Sequence, residues 1–180
     1  MNPIKVDVIL KADLFRKFAN FDTLFRTGRL KKLLLFSAVT IVLSVLPPLF
    51  SGQAIDANFR PNGLLLAFAI FVPLLFVGGF LRTVRYQIQK MGFCTGKFVY
   101  SLTFTDAADG IWAKNEEEER SFSWQEIHAA YYFDHAIYFY VAKRHAFLLP
   151  VEQIEGGADA LWALITQQST KEKLFDRRKK

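Results

Sequence analysis

Leu33–Phe50 (LLLFSAVTIVLSVLPPLF) and Gly63–Leu81 (GLLLAFAIFVPLLFVGGFL) contain no charged side chain. As helices rising about 1.5 Å per residue they reach roughly 27 to 29 Å, close to the ~30 Å hydrocarbon core of a bilayer. A chain of 180 residues has little other apolar surface with which to enclose two helices that are hydrophobic on every side. The pattern therefore predicts two transmembrane helices, 33–50 and 63–81, rather than a buried core hairpin. Pro47 and Pro48 are expected to end the first helix, and Pro73 to kink the second. Ser37, Thr40 and Ser44 share one face of the first span, and Gly78 with Gly79 offers close approach on the second, a pattern expected to pack the hairpin internally. Neither span holds an ionisable residue, so a proton relay or ion pathway within one chain has nothing to be built from.

Outward from the spans, charge sets the orientation. Arg26, Arg29, Lys31 and Lys32 precede the first span, and Arg82, Arg85 and Lys90 follow the second. The connection 51–62 holds only Asp56 and Arg60, so it is expected to be a short extracytoplasmic loop with both termini cytoplasmic. A signal peptide is excluded, because its apolar region would begin 32 residues in and lacks a cleavage pattern. Residues 1–32 carry a net +5, residues 82–93 a net +3, residues 94–170 a net −6 and residues 171–180 a net +4, which together give the overall +6. Base lies beside the membrane and in the tail rather than on the folded module, which speaks against nucleic-acid binding. With 52% hydrophobic and 22% charged residues held in separate stretches, disorder is excluded too.

The remainder reads as a cytoplasmic α+β module. Within 1–32, Ile4, Val6, Val8 and Leu10 alternate as a short strand. Leu14, Phe15, Phe18, Phe21, Leu24 and Phe25 then recur at helical spacing, with Asp13 and Gly28 as cap candidates. That amphipathic helix either lies in the membrane interface or covers the folded domain. After a basic juxtamembrane linker at 82–93, the period changes to two through residues 94–170. Short strands at 98–104, 111–114, 121–124, 136–142 and 146–149 are divided by polar turns, and a helix over Ala158–Gln168 closes the domain. The expected fold class is thus a membrane α+β protein: a two-helix transmembrane hairpin plus a small antiparallel sheet domain with a C-terminal helix.

Tyr100–Gly110 (YSLTFTDAADG), WQEI at 124–127, AIYFYVA at 136–142 and FLLP at 147–150 resemble the YcxB-like proteins, a bacterial membrane family with an N-terminal strand and helix, two spans and a small C-terminal domain. The resemblance implies a pleckstrin-homology-like fold in a bacterial cytoplasmic membrane and brings no established activity. Val151 stands where the family commonly has a basic residue after the Pro, which weakens any carried-over ligand role there.

No catalytic motif is present. His128, His135 and His145 are too widely spaced for a sequence-evident zinc site, and Cys94, the single cysteine, forms no internal disulfide. No cofactor or metal is expected. Glu116–Glu119 reads as a solvated turn, and Trp112, Trp124 and Trp162 as core aromatics. Lys97, Lys143 and Arg144, with Arg177, Arg178, Lys179 and Lys180 of the basic tail 171–180, are candidate contacts to anionic lipid. The expected function is a membrane-anchored, non-enzymatic module that binds a protein partner or a lipid head group at the inner surface. The alternative is an accessory subunit of a transport or envelope-assembly complex that binds through its hairpin. The lipid bilayer is the expected environment, the protein partner is unidentified, and the oligomeric state is left open.

Overall fold

The computed structural model describes residues 3–50, 62–107 and 110–178. The chain divides into two compact units, Met1–Phe18 with Gly92–Lys180 and Ala19–Met91. The expected loop at 51–62 lies, apart from Asn62, outside the described residues, as do Lys179 and Lys180.

In the first unit, strand β1 (Ile4–Leu10) buries Val6, Val8 and Leu10, one face of the period-two pattern. It is not a separate N-terminal piece. It pairs antiparallel with β2 (Lys97–Phe104), from Ile4 opposite Phe104 to Leu10 opposite Lys97. Strands β3 (Ile111–Lys114) and β4 (Glu119–Phe122) follow, in the sheet order β1-β2-β3-β4. Asn115 builds the turn between them: its Oδ1 accepts from the amides of Glu117 and Glu118 at 2.9 and 2.6 Å, which leaves the acidic run on the outside.

The second sheet has the order β7-β6-β5-β8, made from β5 (Ala129–Phe133), β6 (Ala136–Ala142), β7 (His145–Pro150) and a parallel edge strand β8 (Leu174–Asp176). Every residue of β6 from Ala136 to Val141 is buried, so both faces of this strand are covered. On the inner face Phe139 meets Phe104 at 5.6 Å and Trp124 at 6.5 Å between ring centroids. On the outer face Phe18 of helix α1 (Ala12–Asn20) meets Tyr138 at 5.2 Å and Tyr140 at 6.3 Å. Of the two roles the sequence leaves open for this helix, Phe18 is therefore committed to covering the sheet. The C-terminal helix α4 spans Ala158–Gln168, as expected, burying Leu161, Leu164 and Ile165 while Trp162 packs on Tyr132 at 5.2 Å.

The tail differs from a free basic terminus. Leu174–Asp176 joins the sheet, and Arg178 bonds Asp159 and Asp176, both at 2.7 Å, with its guanidinium 4.1 Å over the Tyr132 ring. The residues 171–178 thus carry enough apolar and paired polar contacts to dock.

In the second unit, a π-helical segment Phe21–Arg26 closes on Gly28, whose φ of +67° reverses the chain at little steric cost. Helix α2 (Arg29–Phe50) and helix α3 (Gly63–Met91) run antiparallel. Helix α3 continues through the stretch expected as a linker, because nothing from Arg82 to Met91 breaks it before Gly92 at φ +75°. Pro47 and Pro48 do not end α2, which runs to Phe50.

The hairpin register has a chemical cause. Pro73 has no N–H, so the carbonyl of Ala69, four residues earlier, loses its helical donor. The Ser37 hydroxyl donates to it across the hairpin at 2.9 Å. Pro48 likewise orphans the carbonyl of Ser44, and the backbone N–H of Asn62 donates to that one, also at 2.9 Å. Thr40 and Ser44 are buried, so the small polar face does pack inside the hairpin. Gly78 and Gly79 do not: a Cβ on either would meet nothing within 4 Å. Among the described residues one helix, Gly63–Met91, is long and apolar enough to cross a membrane, where the sequence reading expects two, and almost none of its apolar window is buried.

Candidate ligand cleft

The two sheets of the first unit close on each other at one corner and open at another. At the closed corner β7 runs through a turn at Val151–Gln153 into Ile154, which bridges Val6, while the Gln153 carboxamide accepts from the Ile9 amide at 2.8 Å and donates to its carbonyl at 3.1 Å. Nearby, the Tyr100 hydroxyl accepts from the Leu148 amide at 2.6 Å and donates to the Leu148 carbonyl at 3.1 Å. This hydroxyl satisfies the backbone groups that β7, as an edge strand, turns away from β6. Its enclosure pushes the Tyr100 phenol well above the usual tyrosine range, although the residue as a whole is only half-buried.

Tyr100 forms part of an open cleft of about 340 Å³ between the first half of β2, the end of β3, β4 and the start of β7. Its apolar floor comes from alternate residues of these strands, and Phe147 stands at its centre, 5.1 Å from Tyr100, 5.8 Å from Phe122 and 5.3 Å from His145 between ring centroids. Its rim carries two cations that are already matched: Arg120 pairs with Glu118 at 2.8 Å and Lys114 with Glu119 at 3.7 Å. One side of the cleft is β4, the last strand of its sheet, whose outer backbone groups have no strand beside them among the described residues. Such a site suits an extended chain with an apolar side chain better than a bare anion.

A second, smaller depression lies where α1 meets the β5–β6 turn, and charged side chains line much of it. Lys17 pairs there with Asp13 at 2.8 Å, holding the Asp13 carboxyl below the usual range. His135 Nε2 lies 2.8 Å from the Tyr138 hydroxyl, and burial, with Lys17 nearby, pulls its imidazole pKa down. His128 and His145 are elsewhere, on the connection into β5 and at the cleft rim, and no three His, Cys, Asp or Glu side chains converge among the described residues.

The candidate lipid contacts are dispersed. Lys97 opens β2, Lys143 and Arg144 form the β6–β7 turn, and Arg177 and Arg178 follow β8. Asp176 is level with Tyr132, which pairs with Ile137, so the Arg177 end lies six residues of β6 from Lys143, about 20 Å at ~3.3 Å per residue. The Arg178 guanidinium is held by two carboxylates, and such groups do not make one patch. The basic residues expected to set topology divide between the start of α2 and the end of α3: Arg26 pairs with Asp22 at 2.7 Å, while Arg29, Lys31, Lys32, Arg82, Arg85 and Lys90 are exposed. Cys94 is exposed in the turn before β2.

Of the three tryptophans, Trp124 is buried with its indole N–H on the Thr105 carbonyl at 3.0 Å, and Trp162 is half-buried. Trp112 is 46% exposed, because Ile111 and Ala113 on either side take the inward positions of β3. The sequence reading passes over Tyr100, Phe122 and Phe147 as site residues. Their alternation marks them only as core, since each contributes a ring to a surface shared by strands far apart in the chain.

No curated protein and no solved structure matches the chain. The family model described as YcxB-like protein matches residues 107–165. The YcxB-like resemblance carried by WQEI, AIYFYVA and FLLP thus holds across the segment that builds most of the cleft, while residues 100–106 of YSLTFTDAADG and the N-terminal strand, helix and apolar helices lie outside the matched residues.

Proposed function

We propose that this chain is a membrane-anchored, non-enzymatic binding module, in which α2 and α3 cross a bacterial cytoplasmic membrane as a hairpin and a pleckstrin-homology-like domain holds a protein partner at the inner surface. The observation that carries the anchoring is the pairing of β1 with β2. These neighbouring strands lie before and after the helical unit in the chain, so they occupy one side of any membrane that unit enters. An even number of crossings suits that pairing, and the apolar lengths of α2 and α3 support two. The bacterial setting follows the YcxB-like resemblance.

Solvation energetics support the same reading. Fifteen large apolar side chains on the uncharged stretches 33–50 and 63–81 of α2 and α3, among them Leu34, Phe36, Val42, Phe71, Leu74 and Leu75, are exposed among the described residues. At about 1.5–3 kcal/mol for each fully buried side chain, halved for partial exposure, leaving them in water forfeits on the order of 20 kcal/mol. A contiguous apolar surface of that extent is rare on a protein in water, and lipid would bury it. The basic ends of both helices lie at the side from which the chain enters and leaves, which fits both termini being cytoplasmic. Four antiparallel strands, three more and a closing helix are also the succession expected of a pleckstrin-homology-like domain.

A protein segment is favoured over a lipid head group because the cations at the cleft rim are matched by Glu118 and Glu119. An extended segment adds to β4 and lowers an apolar side chain toward Phe147. The test uses Arg120→Pro and Ser121→Pro. Adjacent residues of an antiparallel edge direct their N–H groups to opposite sides, so one proline removes an outward donor while the other breaks the ladder. The outward variant should insert and fold normally yet lose its partner after in-cell crosslinking; unchanged recovery refutes the edge mode.

The second reading, an accessory subunit bound through the hairpin, draws support from the open Gly78 face. Replacing both helices by unrelated apolar spans separates the two, since only the hairpin-binding subunit then loses its partner.

A further inference from the structure

The helical unit contains a groove of about 480 Å³ of its own, between the chain entering α2 and the last turns of α3. Its floor is open at Gly79, where an added Cβ would meet nothing within 4 Å. Along α3 its lining runs from the large apolar Leu75, Phe76 and Phe80 to Thr83 and Gln87, with the buried Val84 between these two. Arg29 enters from the side, exposed and without a hydrogen-bond or ion-pair partner among the described residues. Its neighbour along the chain, Arg26, is by contrast satisfied by Asp22. The Thr83 hydroxyl donates to the Gly79 carbonyl at 2.9 Å, and its oxygen keeps acceptor capacity.

We infer that this groove holds one anionic phospholipid of the cytoplasmic leaflet, its phosphate on Arg29 and Gln87 and the upper part of an acyl chain over Gly79 and Phe80. The inference rests on the membrane-hairpin reading. In that setting the polar end of the groove points toward Arg82, Arg85 and Lys90, the end of α3 assigned to the inner surface, so the gradient from apolar to polar runs as it does in a lipid. Arg29 opens α2, four residues before the uncharged stretch, so in that setting its guanidinium lies at head-group level, where lipid phosphates are within its reach. The groove contains no carboxylate to pair with it instead. Gly79 is the residue whose missing side chain makes room, which gives a reason for a glycine at a place where the partner helix does not approach.

The test uses the full chain, purified in mild detergent after reconstitution in phosphatidylcholine vesicles with or without phosphatidylglycerol, and native mass spectrometry of what stays bound. The wild type should retain one phosphatidylglycerol in preference to phosphatidylcholine. Arg29→Gln should lower that preference roughly tenfold, the scale of one charge-assisted hydrogen bond. Gly79→Leu, which fills the floor without touching charge, should lower retention of both lipids. Lys143→Gln, in the β6–β7 turn, should change neither. Failure of the wild type to resist alkaline extraction from the vesicles would overturn the membrane reading itself. Secure insertion with equal retention of both lipids, with no response to Arg29→Gln, or with a second copy of the chain crosslinked through position 79 would overturn the lipid site alone.

Discussion

Replacing Ser37 by Ala tests whether the prolines set the register of the helical hairpin. The Ser37 hydroxyl donates to the Ala69 carbonyl at 2.9 Å, the group that Pro73 deprives of its helical donor. Cross-helix side-chain hydrogen bonds in a bilayer are worth about 0.6 kcal/mol on average and up to ~1.7. Here the loss also leaves a carbonyl without any donor in an apolar setting, so Ser37→Ala should cost about 1–2 kcal/mol. The diagnostic quantity is the coupling. In a Pro73→Ala background the restored N–H of residue 73 satisfies Ala69, and Ser37→Ala should then cost under ~0.5 kcal/mol.

The assay is SDS-driven unfolding in mixed micelles, followed by energy transfer between dyes at cysteines placed at Lys31 and Gln89 in a Cys94→Ser background. Tryptophan emission is unsuitable for this purpose, because Trp112, Trp124 and Trp162 all lie in the strand-rich unit. Equal costs of Ser37→Ala in the two backgrounds would refute the reasoning, since the serine would then be acting through packing alone.

That same tryptophan distribution makes emission a selective probe for the other unit. Gly110→Ala would force a Cβ against the Thr105 carbonyl, within 2.6 Å of the Ala107 carbonyl and 2.7 Å of Trp124 Nε1, so it should destabilise by at least ~1–3 kcal/mol and red-shift Trp124 in urea titrations. Tyr100→Phe leaves the Leu148 amide and carbonyl unpaired and should cost about 2–4 kcal/mol in the same titration. Because the folded phenol titrates above its unfolded value of 10.0, its contribution is complete below pH 10 and fades as pH rises beyond it; Tyr100→Phe should flatten that alkaline limb. His135 has the opposite sign: its folded value is depressed below 6.5, so its contribution is present above that pH and lost on acidification, and His135→Gln should flatten the acid limb of a pH-dependent melt. Arg178→Gln should release β8, seen as faster amide exchange across Leu174–Asp176, with no change in vesicle binding.

The parts of the fold that were legible in the sequence are those governed by local period. The α4 boundaries, the alternation of β1 and the acidic turn after Asn115 follow from side chains within a few residues of one another. What was not legible depends on contacts distant in the chain. Nothing near Ile4–Leu10 announces that its partner is Lys97–Phe104, and nothing in KEKLFDRR marks a strand until the Tyr132 ring and Asp159 are placed beside it. The prolines illustrate the same limit. Read locally, Pro47 and Pro48 break a helix; with Asn62 placed against Ser44, the helix continues. The cleft was invisible for that reason too, its rings coming from β2, β4 and β7.

The insertion of the hairpin between paired strands has a consequence for assembly. Val8 pairs with Tyr100, and closing a flexible loop of that length costs about 4 kcal/mol by loop-closure entropy alone. An antiparallel pair of helices returns the chain to the end from which it departed, and with α2 and α3 already packed only their flanking residues remain as free loop. Since the cost falls by about 0.6 kcal/mol for each halving of loop length, the gain is near 1 kcal/mol, too small to make the strand pairing stable but enough to set its order. The strands β2, β3 and β4, joined by short turns, can pair as soon as they are made; β1 waits until the helices have brought its partner back. A chain with disrupted helices should therefore present the β1-facing edge of β2 unpaired, with the alternating apolar residues Leu102 and Phe104 unsealed. Aggregation in hairpin variants would arise in this way from the soluble-looking half of the molecule, and a separately supplied β1 peptide would suppress it.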